Sequence, residues 1–312
     1  MVASNHSTHI YRPRLARTES RRTAHFLPCE RFVDELDSSS FQFDRDKTSQ
    51  PAGAHAHFST ESPCAAFVES YCCEIFKLPV RANGLIAALP AAVLEKLRPM
   101  LELVELPLGK VLHEPGIVSS HAYFPVTAIV SLQLTTKAGD CSECAIVGNE
   151  GLVGVALFMG GHTTPSHAVV QSPGIAYKMR ADDMALVVNM GGPILRLFLR
   201  YTQALLTQMS QTAVCNRHHS VHQQLCRLLL LCHDRLRGNE LAMTQELLAN
   251  LMGVRRESIT AAALRLQVDE AICYQRGHIT ILDRAKLEST SCECYGVVKN
   301  EYDRLLPDEI AA

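Results

Sequence analysis

The chain has 312 residues, room for about two domains of ~150 residues each. Hydrophobic residues make up 47% and charged residues 20%, which provides for a core and excludes a wholly disordered protein. A net charge of −2 gives no global basic field, and no apolar run nears the ~20 residues of a membrane helix. Any nucleic-acid signal must therefore be local, and no membrane partner is expected.

Residues 1–78 stand apart. Arg12, Arg14, Arg17, Arg21, Arg22 and Arg31 crowd the start, and Asp34, Glu35, Asp37, Asp44 and Asp46 follow. Ser, Thr and His fill the gaps without a helical or strand period, which predicts a largely disordered N-terminal extension over 1–78. No apolar stretch follows the basic residues, so no secretory signal is expected. The twelve cysteines then read as reduced thiols of a cytoplasmic protein rather than a disulfide framework.

From Leu85 the pattern is globular. Leu85, Ile86, Leu89, Val93, Leu94 and Leu97 recur at helical spacing, with Pro90 opening a second short helix. Short β-like runs follow at Leu101–Leu106, Lys110–His113, Ala122–Phe124, Ile129–Thr135, Glu143–Val147, Ala168–Gln171 and Gly174–Met179. Gly and Pro punctuate them, as at Pro115-Gly116, Ala138-Gly139-Asp140 and Pro173-Gly174. Many short strands without long helices between them predict a β-barrel or sandwich, not a parallel α/β sheet.

The pattern changes at Gly191-Gly192-Pro193, and no Gly or Pro occurs from Ile194 to Arg217. Ile194, Leu197, Phe198, Tyr201, Leu205, Met209 and Thr212 mark one stripe of a long helix, with Leu195, Leu199 and Leu206 beside it. Apolar on more than one face, this helix is expected to pack on the β-domain and also to pair with a second copy. Phe198, Tyr201, Leu205 and Met209 are the expected dimer contacts.

Residues 222–286 read as a compact module. His222–Arg237 carries Leu225, Leu228, Leu229 and Cys232 at helical spacing and is expected to end at an Arg237-Gly238 cap. Thr244 can cap a short helix whose inner face is Leu247, Leu248 and Leu251; Gly253 supplies a tight turn. A second helix from about Arg255 turns Ile259, Ala262, Ala263 and Leu266 inward and leaves Arg255, Arg256, Ser258 and Thr260 at its exposed start. Those residue types at that place suit a recognition helix in a major groove. Ile272–Arg276 and His278–Leu282 flank Gly277 as a β-hairpin wing. Residues 217–286 hold ten Lys/Arg against seven Asp/Glu, a local basic excess that supplies a phosphate attraction.

These residues resemble a known family. Tyr123-Phe124-Pro125, Val147–Gly154, Thr244–Gly253, Arg255–Thr260, Tyr274–Arg284 and the tail Cys292-Glu293-Cys294-Tyr295 are similar to stretches of the Crp/Fnr transcription regulators. The resemblance spans about Leu85 to Leu306. It implies an α+β chain: an N-terminal β-roll of double-stranded β-helix or jelly-roll type, a long dimerisation helix and a C-terminal winged helix-turn-helix. The implied domains are a β-roll at 79–190, a dimerisation helix at 191–217, a DNA-binding domain at 218–286 and a tail at 287–312. The implied partners are double-stranded DNA, a second copy and, for an activator, RNA polymerase. By resemblance Arg256 and Glu257 match base-reading residues, while Ala261 stands where many relatives carry a second base-reading Arg. Thr244, Gln245, Arg255, Arg256, Glu257, Ser258, Thr260, Arg276 and His278 form the expected DNA-contacting set.

The resemblance also makes Gly148–Gly154 the entrance of a phosphate cassette, with Gly148, Glu150, Gly151, Ser166 and His167 as the candidate effector pocket. Cyclic-nucleotide binders of the family add an Arg that pairs the cyclic phosphate. This chain reads Thr164-Pro165-Ser166-His167-Ala168 there, and no Arg lies between Glu150 and Arg180. A small-molecule effector of unknown identity and a purely structural β-roll both remain open.

No metal site or cofactor is predicted. Cys141-Ser142-Glu143-Cys144 is a CxxC without a second pair, Cys292-Glu293-Cys294 has no assigned role, and His218 and His222, which share a helix face, are expected to flank the interdomain hinge or touch phosphate rather than bind a metal. Nothing resembles a nucleophile elbow, a phosphate-binding loop or a metalloprotease helix, so no enzyme is predicted. The competing class is an interaction protein whose helix-turn-helix no longer reads DNA.

Overall fold

The computed structural model describes residues 80–236 and 238–306. The extension predicted over 1–78 lies outside the described residues, as does Arg237. Asn83, fully buried, caps the first helix, α1 (Gly84–Ala87), by accepting from Ile86 N at 3.1 Å. Its amide also donates to Pro125 O at 2.8 Å and Gly151 O at 2.9 Å, so this cap anchors the helix to the β-domain. Pro90 caps α2 (Ala91–Leu97).

Seven strands follow: β1 (Glu102–Leu106), β2 (Val111–His113), β3 (His121–Pro125), β4 (Ile129–Thr135), β5 (Cys141–Val147), β6 (His167–Ser172) and β7 (Gly174–Arg180). They form two antiparallel sheets in the orders β1-β7-β3 and β2-β6-β4-β5. Phe124, Val130, Val147, Ala168, Val170, Ala176 and Met179 are buried between them in one core. Each strand expected from alternation and turn signals is present. Two short helices, α3 (Ala156–Met159) and α4 (Ala181–Asn189), have no counterpart in the sequence expectation.

Gly191 and Gly192, each at φ 61°, turn the chain into α5 (Gly192–His218), with Pro193 in its first turn. One face of α5 closes the β-roll. Tyr201, fully buried, donates its hydroxyl to Leu152 O at 2.9 Å, and Gln208 Nε2 donates to Ile146 O at 2.9 Å. The Phe198 ring lies 5.3 Å from that of Phe158 and 6.4 Å from that of Phe124.

This packing corrects the expected dimer contacts. Phe198, Tyr201 and Leu205 are at most 2% exposed within the chain itself, so they have no surface left for a partner. Of the expected four, only Met209 is partly open. The large apolar side chains that α5 exposes are Leu199, Leu206 and Val214.

α6 (Val221–His233) begins at a Ser220–Gln223 capping box and ends at His233, before the predicted Arg237-Gly238 cap; Gly238, at φ 113°, belongs to the loop that follows. β8 (Glu240–Ala242), α7 (Gln245–Met252), α8 (Arg256–Val268), β9 (Ile272–Gln275) and β10 (His278–Ile281) complete a winged module with strand order β8-β10-β9. The described part of the stretch read as a tail is helical: α9 (Arg284–Thr290) starts the last segment and α10 (Glu293–Leu305) runs beside α5. α10 buries Cys294, Tyr295, Val298, Tyr302 and Leu305. Among the described residues no helix is long and apolar enough to cross a membrane.

Candidate nucleic-acid interface

The helix-turn-helix is built by local signals. Thr244 Oγ1 accepts from Leu247 N at 3.1 Å and starts α7. Gly253 ends it in the left-handed region, at φ 63° and ψ 35°, where a side chain would be strained. Val254 N then bonds Ala249 O at 3.0 Å and aims the chain into α8. Ile259, Ala262, Ala263 and Leu266 turn inward, each under 5% exposed, as their spacing predicts.

That leaves the start of α8 open. Arg255, Arg256, Glu257 and Thr260 are exposed and Ser258 is half-buried. Among the described residues neither Arg255 nor Arg256 has a carboxylate within ion-pair distance. Two guanidinium groups free of internal acids are the donors a phosphate or a guanine edge requires. The Thr260 hydroxyl lies 2.7 Å from Gln245 Oε1 and 3.1 Å from Arg256 O, which fixes α7 against α8.

The wing closes over the same end. Arg276 and Gly277 take φ 49° and 81°, a two-residue turn of the I′ kind between β9 and β10. Gly277 O accepts from Met243 N at 2.7 Å, and the Tyr274 hydroxyl donates to Met243 O at 2.9 Å. Burial pushes the Tyr274 phenol up to about 12, and the nearby Arg256 charge offsets part of that rise. The structure thus brings the turn carrying exposed Arg276 and His278 to the start of α7, where Thr244 and Gln245 sit. Sequence reasoning missed β8, a three-residue strand too short for an alternation signal.

The candidate effector residues are engaged internally. Glu150 accepts from Gly148 N at 3.1 Å and from Arg235 Nε at 2.8 Å. Arg235 is 6% exposed, donates also to Leu231 O at 2.7 Å, and stacks 5.6 Å from the Tyr302 ring centroid. A side chain at Gly148 would strike Arg235, and one at Gly151 would strike the Tyr201 ring. Ser166 Oγ lies 2.9 Å from Thr164 Oγ1, and His167 sits in β6 near His113. Two clefts, of about 420 and 450 Å³, are lined by none of these five residues.

Cys141 and Cys144 are each engaged by β4: Cys141 Sγ points to Gln133 Oε1 at 3.3 Å and Cys144 Sγ to Leu132 O at 3.1 Å, where the β4–β5 register shifts. His218 and His222 share no helix face, because the helix breaks between them at His219-Ser220.

Comparison with known proteins agrees with this geometry. A family model described as the Crp-like helix-turn-helix domain matches residues 223–290. No curated protein matches the chain. Among solved structures, one described as a transcriptional regulator of the Crp/Fnr family from Eubacterium rectale superposes with a TM-score of 0.52 at 17% identity, over 65% of this chain and 94% of that one. FixK2 from Bradyrhizobium japonicum gives 0.52 at 13% identity over 62% of this chain and 98% of that one. A CRP-family regulator from Thermus thermophilus gives 0.51 at 14%, over 60% and 96%. At such identities the likeness establishes the fold: a β-roll joined to a helix-turn-helix.

Proposed function

We propose that this protein, a DNA-binding transcription regulator of the Crp/Fnr type, reads its operator as a homodimer through Arg256 and Glu257. The observation that carries the reading is the exposed pair Arg255 and Arg256 at the start of α8, with no carboxylate within ion-pair distance among the described residues. Arg256 donates to a guanine edge, Glu257 accepts from a cytosine amine, and Arg255, Thr244 and Gln245 hold phosphates. Ser258 and Thr260 sit at the groove floor, and Arg276 and His278 reach the flanking backbone from the wing.

The homodimer uses the part of α5 that the β-roll leaves open. Leu199, Leu206 and Ala213 recur every seven residues, as do Leu195, Thr202 and Met209. These two rows alternate at spacings of three and four, the pattern of a coiled-coil seam. Leu199 and Leu206 are 52% and 57% exposed and Leu195 and Met209 half-buried, so these positions are available, whereas Thr202 is covered within the chain. Two copies joined there would present two α8 helices to half-sites about one helical turn apart.

The protein acts in the cytoplasm, with RNA polymerase as a further partner if it activates. Its chemistry is binding, not catalysis. The β-roll serves as scaffold, with its cassette glutamate already paired to Arg235. Selection of bound sequences from a random DNA pool tests the reading. An enriched inverted repeat is expected; no enrichment over input would refute it.

A further inference from the structure

Four potential metal ligands from two distant stretches converge where α5 ends and α10 begins. Cys215 lies in the last turn of α5 and His219 caps that helix. Cys292 caps α10 and Cys294 lies in its first turn. One ligand atom from each, three Sγ and a ring nitrogen, all fall within 4.8 Å of one another. Cys215 and Cys292, 77 positions apart, place their sulfurs 3.5 Å apart, far beyond a disulfide bond of about 2.05 Å. Cys294 Sγ lies 3.6 Å from His219 Nδ1.

We propose that Cys215, His219, Cys292 and Cys294 form a closed tetrahedral site for a zinc ion. With Zn–S near 2.3 Å and Zn–N near 2.0–2.1 Å, tetrahedral ligands sit about 3.8 Å apart for two sulfurs and about 3.6 Å for sulfur and nitrogen. The distances already present match both values to within a few tenths of an ångström. Three thiolates and one imidazole are a borderline-soft set suited to zinc, and calcium and magnesium, which prefer oxygen, are excluded. The set is too tight to wrap around an iron–sulfur cube. With Cys215, Cys292 and Cys294 at most 4% exposed, no open coordination position faces solvent, so the site is structural.

The surroundings fit the charge. Zn²⁺ with three thiolates carries a net −1. Buried Arg227, 6% exposed, lies beside Cys215, and its Nε has no hydrogen-bond partner. Cys292 and Cys294 stand at the positive end of α10, a thirteen-residue helix. His219 offers Nδ1 to the cluster while Nε2 faces Glu293 Oε1 at 3.3 Å, the carboxylate–histidine arrangement that orients a zinc ligand. Gln224 Nε2 donates to His219 O at 2.8 Å and Cys215 O at 3.3 Å, holding the end of α5 in place. The ion would clip the long helix to the last one across the whole winged module, a loop long enough for the constraint to matter.

The test uses the full chain, untagged and purified under reductant. After exposure to excess zinc and desalting, about one zinc per chain is expected. Cys144→Ala, in the β-roll, should keep that zinc, and Cys292→Ser should lose it. Chelation of the wild type should lower its melting temperature, with recovery on adding zinc back. Cobalt titration of the chelated wild type decides independently of how Cys292→Ser folds. Intense visible bands with thiolate-to-cobalt charge transfer are expected, and His219→Cys should strengthen the charge transfer by one thiolate. Glu293→Gln should weaken zinc binding about tenfold. A wild-type chain that stays metal-free in excess zinc, or a weak octahedral cobalt spectrum, overturns the proposal. So does stoichiometric zinc retained by folded Cys292→Ser.

Discussion

Arg235 Nε donates to Glu150 Oε1 at 2.8 Å across 85 positions, and this ion pair ties the loop after α6 to the Gly148–Gly154 loop of the β-roll. The Arg235 side chain is 5% exposed and that of Glu150 22%, so the contact is mostly shielded from water. Removing one partner of such a pair leaves an uncompensated buried charge. Glu150→Gln should therefore cost about 3 kcal/mol of unfolding free energy, the low end for a buried pair because Glu150 keeps some solvent. Arg235→Met should cost less, since its thioether chain refills the space. The double variant should lose less than the two singles together, measured by urea denaturation. Strict additivity would mean that the pair contributes no coupling.

The same contact bears on ligands. No Arg lies between Glu150 and Arg180, yet the fold delivers one to the Gly148–Gly154 loop from a distant segment. That Arg is already committed to Glu150, Leu231 O and Tyr302. A cyclic phosphate would have to break these contacts or bury its charge unpaired. Cyclic AMP and cyclic GMP are expected to bind no tighter than about 1 mM and to leave DNA affinity unchanged. Calorimetry giving a micromolar dissociation constant would show that Arg235 can be released to the ligand.

Glu143 makes stability depend on pH. Burial pushes its carboxyl up from 4.5 to about 7, only partly offset by the Ser131 hydroxyl and the charges of Arg227 and Arg235. In the folded chain the group stays protonated to about pH 7, whereas unfolded it ionises near 4.5. The folded state therefore binds more protons across that interval, and stability contributed by this group falls as pH rises through it. Glu143→Gln, which mimics the protonated form, should flatten the dependence and stabilise the chain above pH 7. Thermal melts that keep the wild-type slope between those pH values would place its origin in another group.

How far the sequence carried these conclusions depended on the range of each signal. The seven strands and the helix-turn-helix rest on turn residues and short periods, which Pro173-Gly174 and Gly253 display directly. β8 and α3, of three and four residues, are too short to show a period. The face of α5 that meets the β-roll was not legible, because its stripe at Phe198, Tyr201 and Leu205 and its neighbours Leu199 and Leu206 are equally apolar. Only packing assigns the first set to the core. The Arg235–Glu150 pair and the Cys215, His219, Cys292 and Cys294 cluster join residues more than seventy positions apart. A helix break at His219 also takes His218 and His222 off a common face and leaves His219 beside the cysteines.

The seam on α5 predicts the assembly. Leu199 and Leu206 are exposed in the single chain, and an apolar seam of that kind is stabilised by a second copy. Leu199→Glu with Leu206→Glu should yield a folded monomer with DNA affinity reduced by at least about tenfold, because one α8 then engages one half-site. The equivalent pair of charges at Phe198 and Leu205 should instead unfold the β-roll, since both are buried in its core. Sedimentation distinguishes the two outcomes. A dimer that survives the Leu199 and Leu206 changes would move the interface to another surface.

Arg256 carries the sharpest prediction. It opens α8, is exposed, and among the described residues has no carboxylate within ion-pair distance, so its N–H donors can face DNA. Bidentate contact with guanine O6 and N7 matches the guanidinium fork, and a single such contact discriminates by about 1–3 kcal/mol. Arg256→Ala should lose about that much affinity and relax one position in each half-site of the selected repeat. Arg255→Ala should instead weaken all sequences alike and reduce the salt dependence, because a phosphate contact carries no base information. Arg256→Lys should recover part of the affinity but not the full preference, since an ammonium is a point charge without the fork. Binding measured on the selected repeat and on its single-position variants separates these cases. An Arg256→Ala protein with unchanged site preference would assign base reading to a different residue of α8.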